Sequence, residues 1–319
     1  MNEKFHFIAI GGVGMSGLAK YLIQEGYEVS GSDISESKYV AQLRDLGAKI
    51  YIGHSKENVP EDAIVVISSA IRMNNPEVVR AKELGCKILH RSDVLAFVSD
   101  SDKKFIGFAG THGKTTTSGM TSYVMAKANL HPSFVVGGFV PDYHTNAEYD
   151  KDGEIFIAEM DESDGTLVKY SPDIVVINNL EADHLDFYKN GLDSIIETFQ
   201  KLFMNLKTNA KIIINNDNAG NLKLRGYDFI TFGIDEAEYM AKNINFANGY
   251  STFDIYHNDK ILLDNVQIII PGEHNVYNTL AVVSALNEAG VDVNKIKSHL
   301  ATFTGMGRRF QKMLNLGEI

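Results

Sequence analysis

Phe105-Ile-Gly-Phe-Ala-Gly110-Thr-His-Gly-Lys-Thr-Thr-Thr117 is the stretch on which the fold turns. An apolar, β-rich run ends in a glycine turn, and the helical pattern Met120 to Lys127 follows. In such a strand–turn–helix unit, main-chain NH groups surround phosphates, a lysine neutralises them and a hydroxyl binds magnesium. Lys114 and Thr115 take those roles, with Gly110, Thr111, His112, Gly113 and Thr116 completing the cradle. The general phosphate-loop pattern wants glycine where this chain has Phe108. A tight turn with no ligand would read the same way apart from the GKT triplet and its context.

Working outward, the βα theme repeats on both sides. Toward the N-terminus, Phe5 to Ile10, Glu28 to Ser30, Ala63 to Ser68 and Lys87 to Leu89 read as strands, with helical patterns at Met15 to Glu25, Lys38 to Leu46 and Glu77 to Leu84. This alternation implies a parallel sheet, here a Rossmann-like domain. The polar stretch 99–104 sets the expected boundary, giving domains 1–100 and 101–319. Beyond it, Ile155 to Ala158, Ile174 to Ile177, Lys211 to Ile214 and Phe229 to Phe232 continue a P-loop ATPase-like α/β domain. Asn-Gly at 248–249 and Asn-Asp at 258–259 break up short alternating runs, so a small antiparallel part is expected between Tyr239 and Ile270. Helices near Asn278 to Ala289 and Val293 to Leu300 close the pattern.

Composition bounds the function. The chain has 319 residues, 44% hydrophobic and 22% charged, which is a globular profile with room for two domains. A single cysteine, Cys86, excludes an intrachain disulfide and a thiolate metal cluster. The N-terminus lacks a signal peptide's apolar core and cleavage site, and no run approaches the ~18 apolar residues of a membrane span, so a cytoplasmic location is expected. A net charge of -11 argues against nucleic acid and anionic membranes as partners. An anionic substrate must be gripped locally.

Several further motifs fall at strand ends. Gly12-Val-Gly-Met-Ser-Gly17 follows the first strand and fits GxGxxG, with Asp33 sixteen residues beyond Gly17. The glycines admit a pyrophosphate and the acid reaches a ribose hydroxyl, for NAD or for a UDP-sugar alike. Glycines that serve only the turn give the same pattern. Glu159, ending its strand in AEMDESD, stands where a phosphate-loop protein holds its metal, whereas Asp161, Glu162 and Asp164 read as an acidic loop exposed to solvent. His184 lies in NNLEADHLD at the next strand's end. His274, Asn275 and Asn278 open a helix, able either to read a base edge or to cap it. Arg308 and Arg309 sit on a glycine turn suited to a phosphate.

Together GGVGMSGLA (11–19), SGSD (30–33), SSAI and NNPEV (between 68 and 79), GTHGKTTT, EMDESD, NNLEADHLD, PGEHNVYN and GMGRRFQ resemble the Mur ligase family, in its order and across residues 8 to 312. The resemblance implies ATP-dependent joining of L-alanine to UDP-N-acetylmuramate through an acyl phosphate, in peptidoglycan biosynthesis, with ATP and Mg2+ as cofactors. It implies that the first domain binds the UDP-sugar through Gly12, Val13, Gly14, Met15, Ser16, Asp33, His54, Ser68 and Ser69. It further implies magnesium ligands at Thr115, Glu159 and His184, an adenine-side group at His274, Asn275 and Asn278, and catalytic roles for Lys114, His184 and Arg309. Some relatives carry a carbamylated lysine on the helix after DHLD, where this chain has Lys201, to which no role is assigned. The family has a third, amino-acid-binding domain, and this chain stops at Ile319 where that domain is expected to begin, so the chain is expected to bind nucleotides without turning over on its own. Rival readings are a murein tripeptide ligase, a noncatalytic UDP-sugar or ATP sensor, and, from the first domain alone, a dehydrogenase.

Overall fold

Two sheets carry the chain, and each puts a glycine-rich turn at the carboxyl end of a strand next to a reversal in strand order. The computed structural model describes residues 3–306, apart from 163, 164, 184, 185, 225 and 248. The first sheet arises from β1 (Lys4–Ile8), α1 (Val13–Glu25), β2 (Glu28–Asp33), α2 (Lys38–Asp45), β3 (Lys49–Ile52), β4 (Ala63–Ile67), α3 (Pro76–Glu83), β5 (Ile88–His90) and α4 (Arg91–Ser99). Its order is β3-β2-β1-β4-β5, all parallel. This is the order in which a dinucleotide or sugar nucleotide lies across the ends of β1 and β4.

The second set runs β6 (Lys104–Ala109), α5 (Lys114–Lys127), β7 (Ser133–Val140), β8 (Thr145–Glu148), β9 (Ile155–Glu159), β10 (Ile174–Ile177), α6 (Leu192–Met204), β11 (Lys211–Asn215), β12 (Ile230–Gly233), β13 (Tyr239–Ala247), β14 (Tyr250–His257), β15 (Lys260–Ile268), α7 (Glu273–Glu288) and α8 (Asn294–Leu300). These strands form one ten-stranded sheet in the order β15-β14-β13-β12-β11-β10-β6-β9-β7-β8. The middle is parallel, β8 is an antiparallel edge, and β13 to β15 form the expected antiparallel meander. Asn258 and Asp259 adopt positive φ at the turn between β14 and β15, which their short polar side chains tolerate.

The strongly apolar strands Ile174–Ile177 and Ile155–Glu159 are buried on both faces, as parallel strands between helical layers should be. Two apolar cores result. One lies between the sheets, mixing Phe5, Tyr21 and Leu22 with Phe105, Val135 and Phe156, and the other packs α5 and α7 on the opposite face of the large sheet. Polar side chains reinforce the seam. Lys20 reaches Thr145 (2.7 Å) and Glu148 (2.8 Å), Gln24 reaches Glu148 (2.8 Å), and Asn146 Nδ2 donates to the Val13 carbonyl (2.7 Å). Among the described residues no helix is long and apolar enough to cross a membrane.

Candidate functional site

β6 lies where the strand order reverses, between β10 and β9, and the turn after it opens into the crevice there. Phe108 is fully buried within β6 and pairs with Glu159, so the strand runs on through Ala109 and the loop is confined to Gly110–Gly113. That shorter loop accounts for the missing glycine in the phosphate-loop pattern. Gly110 and Gly113 have φ of 119° and 87°, and a Cβ on Gly113 would sit 2.7 Å from both Asn178 Nδ2 and Asn278 Oδ1. Only glycine fits. No side chain caps the start of α5, which leaves its first NH groups directed into the crevice.

Lys114 Nζ donates to the carbonyl of Gly110 (2.6 Å) and to Glu162 Oε1 (2.9 Å). Glu162 is 1% exposed, which overturns its reading as a solvent-facing acid. Asp161 is likewise engaged, accepting from Arg91 Nη2 at 2.9 Å. Thr115 Oγ1 lies 3.1 and 3.0 Å from the two oxygens of Glu159, and Gly137 N donates to one of them at 3.1 Å. Burial pushes the Glu159 carboxyl above its usual range, with Lys114 and Thr115 pulling the other way. A hydroxyl and a carboxylate short of positive charge form a donor set that fits a hard cation such as magnesium. Among the described residues no group of three His, Cys, Asp or Glu side chains could hold a metal. His184 and Arg309, the remaining members of the expected set, lie outside the described residues, as does Asp164.

A cleft of about 480 Å³ extends from this loop to the start of α7 and is lined by His112, Thr116, Asn178, His274, Asn275 and Asn278 among others. It thus joins the phosphate loop to the expected adenine-side group. Capping does not explain that group, because the N-cap is Gly272 and no side chain accepts there. Instead Asn275 Nδ2 donates to the Pro271 carbonyl (2.7 Å) and Asn278 Nδ2 to Asn275 Oδ1 (3.0 Å). His274 is exposed on the cleft. Lys201 is exposed on α6.

At the other glycine turn, Asp33 accepts from Gly11 N (2.8 Å) and Ser35 N (3.3 Å), so its carboxylate braces the loop. Gly12 caps α1 without a side-chain bond, leaving the NH groups of Val13, Gly14 and Met15 as the anion-binding edge. The Met15 side chain is buried in the core, and Ser16 spends its NH on Gly12 O and its hydroxyl on Val13 O. Ser69 bonds to His90 Nε2 (3.1 Å), and Ser68 lies half-buried beside it. A second cleft, of about 170 Å³, is lined at once by Val13 and Gly14, by Arg91 and by Glu159. It is the point where the start of α1 meets the carboxyl end of β9.

Three contributors escaped the sequence reading. Gly137 sits in an apolar run, where a strand glycine signals a close approach, and a Cβ there would come within 2.3 Å of Glu159 Oε2. Arg91 begins α4 behind a His90–Asp93 capping box, which reads only as a helix start. Glu77 reads as an ordinary acid in a helix's first turn, yet it is fully buried beneath His54. Its oxygens accept from Ser32 (2.6 Å) and Asn58 (2.7 Å), and His6 approaches at 3.5 Å. Burial pushes Glu77 up, but the hydrogen bonds from His6, Ser32 and Asn58 outweigh it and hold the carboxyl below its usual range. A lowered folded pKa contributes stability above the ordinary carboxylate range and loses it as pH falls through the folded value. Glu77→Ala should therefore cost about 3 kcal/mol at neutral pH, by orphaning its buried donors, and less in acid. Urea melts of both chains between neutral pH and pH 3 would read this, and a pH-independent difference would contradict it.

The fold and this pair of glycine turns define a phosphate-loop α/β protein with two crevices, each opening on an uncapped helix start. Residues 4–102 match the Mur ligase family, catalytic domain, and residues 108–286 match the Mur ligase middle domain. The chain belongs to the Mur ligase family. It is 43% identical to the UDP-N-acetylmuramate–L-alanine ligase of Prochlorococcus marinus and 41% identical to that of Clostridium novyi, over 97% of its length and 66% and 68% of theirs. The chain thus spans about two thirds of those curated relatives. Among solved structures it is similar to a UDP-N-acetylmuramate-alanine ligase from Thermotoga maritima (TM-score 0.84, 31% identity, 96% of this chain and 70% of that one). It is also similar to a UDP-N-acetylmuramate:L-alanyl-γ-D-glutamyl-meso-diaminopimelate ligase from Neisseria meningitides (TM-score 0.85, 29% identity, 97% and 100%). The dehydrogenase reading is set aside, since it accounts for neither the phosphate loop nor the family.

Proposed function

We propose that this chain carries the nucleotide sites of an enzyme of peptidoglycan biosynthesis that joins L-alanine to UDP-N-acetylmuramate at the expense of ATP. The observation that supports it best is the single cleft lined both by Gly14, at the start of α1, and by Glu159, which ends β9 and reaches Thr115 just past the other glycine turn. A sugar nucleotide with its diphosphate on the start of α1 would direct its free end toward the terminal phosphate of an ATP held on α5. On this reading residues 1–100 form the UDP-sugar domain and residues from 101 onward the ATP domain.

The lactyl carboxylate would attack the γ-phosphorus, the bond from that phosphorus to the bridging oxygen would break, and ADP would leave. The amine of L-alanine would then attack the acyl carbon, lose a proton and expel phosphate. The difficulty is the approach of two anions. Lys114, and by resemblance Arg309, would offset their repulsion, and the NH groups of α5 would hold the phosphates. Thr115, Glu159 and, by resemblance, His184 would hold magnesium, which when bound neutralises phosphate charge. His274, Asn275 and Asn278 would flank the adenine, and His54, Ser68 and Ser69 the UDP-sugar. Identities above 40% to alanine ligases favour alanine over a peptide as the acceptor.

Titration calorimetry of this chain separates the readings. Saturable binding of both UDP-N-acetylmuramate and magnesium–ATP is expected. Binding of ATP without any UDP-sugar would reject the assignment of the first sheet.

A further inference from the structure

The acid that takes up the phosphate-loop lysine is Glu162. It stands on the turn after β9 and not on a helix or strand. Its main-chain carbonyl accepts from the Tyr188 hydroxyl and from Gly165 N (3.0 Å), which fixes the residue from behind. Oε1 lies 2.9 Å from Lys114 Nζ, the carboxylate is 1% exposed, and Oε2 has no partner among the described residues. Lys114 itself is 11% exposed on its side chain, so the pair is withdrawn from water. A buried carboxylate carried by one ammonium alone is expensive to hold and becomes more so when phosphates draw that ammonium away.

We propose that Glu162 is a positioning residue, the resident counter-anion of the phosphate loop: it holds Lys114 folded back on Gly110, and nucleotide phosphate must displace it to be bound. This rests on the reading that the loop takes nucleotide phosphates. Burial, which raises the proton affinity of Glu162 against the pull of Lys114, agrees with a carboxylate whose one cationic partner among the described residues is that lysine. The consequence has an unusual sign. Removing the negative charge frees the lysine and removes repulsion toward the phosphates, so nucleotide should bind more tightly.

The test is calorimetry of the 319-residue chain and its Glu162→Gln variant, each with magnesium–ATP and with adenosine. The variant should bind ATP roughly tenfold more tightly and adenosine unchanged, whereas a merely structural role would move both ligands in one direction. Equal or weaker ATP binding by the variant overturns the inference and leaves the function standing. No ATP binding by the unaltered chain removes both. Should Glu162→Gln fail to fold, Glu162→Asp decides: its shorter side chain lengthens the ion pair, so ATP should tighten by a smaller factor with adenosine unchanged, and unchanged or weaker ATP binding overturns the inference.

Discussion

Lys114→Ala is expected to lower the affinity of this chain for magnesium–ATP by on the order of 100-fold, the loss of a charge-assisted phosphate contact. The main-chain cradle remains, so binding should be weakened and not abolished. The geometry adds a second effect that the loop sequence alone conceals. With the ammonium gone, Glu162 is a buried carboxylate without a counter-charge, at a cost of about 3 kcal/mol of stability. The sign of its pH dependence follows from its raised pKa. The unfolded chain releases this proton in the ordinary carboxylate range and the folded one at higher pH, so the deficit grows as pH rises through that range and shrinks on acidification. Lys114→Ala/Glu162→Gln should then recover the melting temperature without recovering ATP. Unchanged ATP affinity in the single variant would remove Lys114 from the site.

Gly14→Val should reduce UDP-N-acetylmuramate binding by on the order of 100-fold while magnesium–ATP binding stays within a factor of two. Gly14 is the second residue of α1 and its φ is ordinary, so the backbone accepts valine at a cost of about 0.5 kcal/mol or less. A Cβ there would point at Arg91 Nη1, 3.4 Å away, and the added methyls fill the cleft of about 170 Å³ on the edge expected to hold the diphosphate. Calorimetry with both ligands reads the outcome. Parallel losses would mean damage to the fold, and an unchanged sugar-nucleotide affinity would move the diphosphate elsewhere.

Local patterning made much of this architecture legible. The βα alternation, the antiparallel meander and the loop at Gly110–Gly113 are each written in contiguous residues, as periodicity or turn chemistry. β3, α4, β7 and β8 were not foreseen. β7 carries two glycines in SFVVGGFV, which dilute its strand signal, and the first of them is there because Glu159 packs against it. Glu162 and Glu77 look alike in sequence to any solvated acid. What buries them is the path of a turn in one case and the packing of α3 against β1 and β4 in the other, and neither lies within a short window. His54 is expected at the sugar nucleotide, but its Nδ1 bonds to the hydroxyl of Ser32 (2.9 Å), 22 positions earlier, which Glu77 in turn holds from 23 positions later.

The apolar core shared by the two sheets makes their ligands energetically interdependent. Tyr21 and Leu22 of α1 pack in the same cluster as Val135 and Phe156, and Asn146 holds the Val13 carbonyl at the lip of the sugar-nucleotide edge. Such a seam cannot open without exposing both halves, so heating should melt the chain in one cooperative step. A ligand taken by either crevice then protects the whole polypeptide by RT ln(1 + [L]/Kd), including the crevice it never touches. Saturating either site to 100 times its Kd would protect the other by about 2.7 kcal/mol. Proteolysis across the link between α4 and β6 should therefore slow with either nucleotide alone.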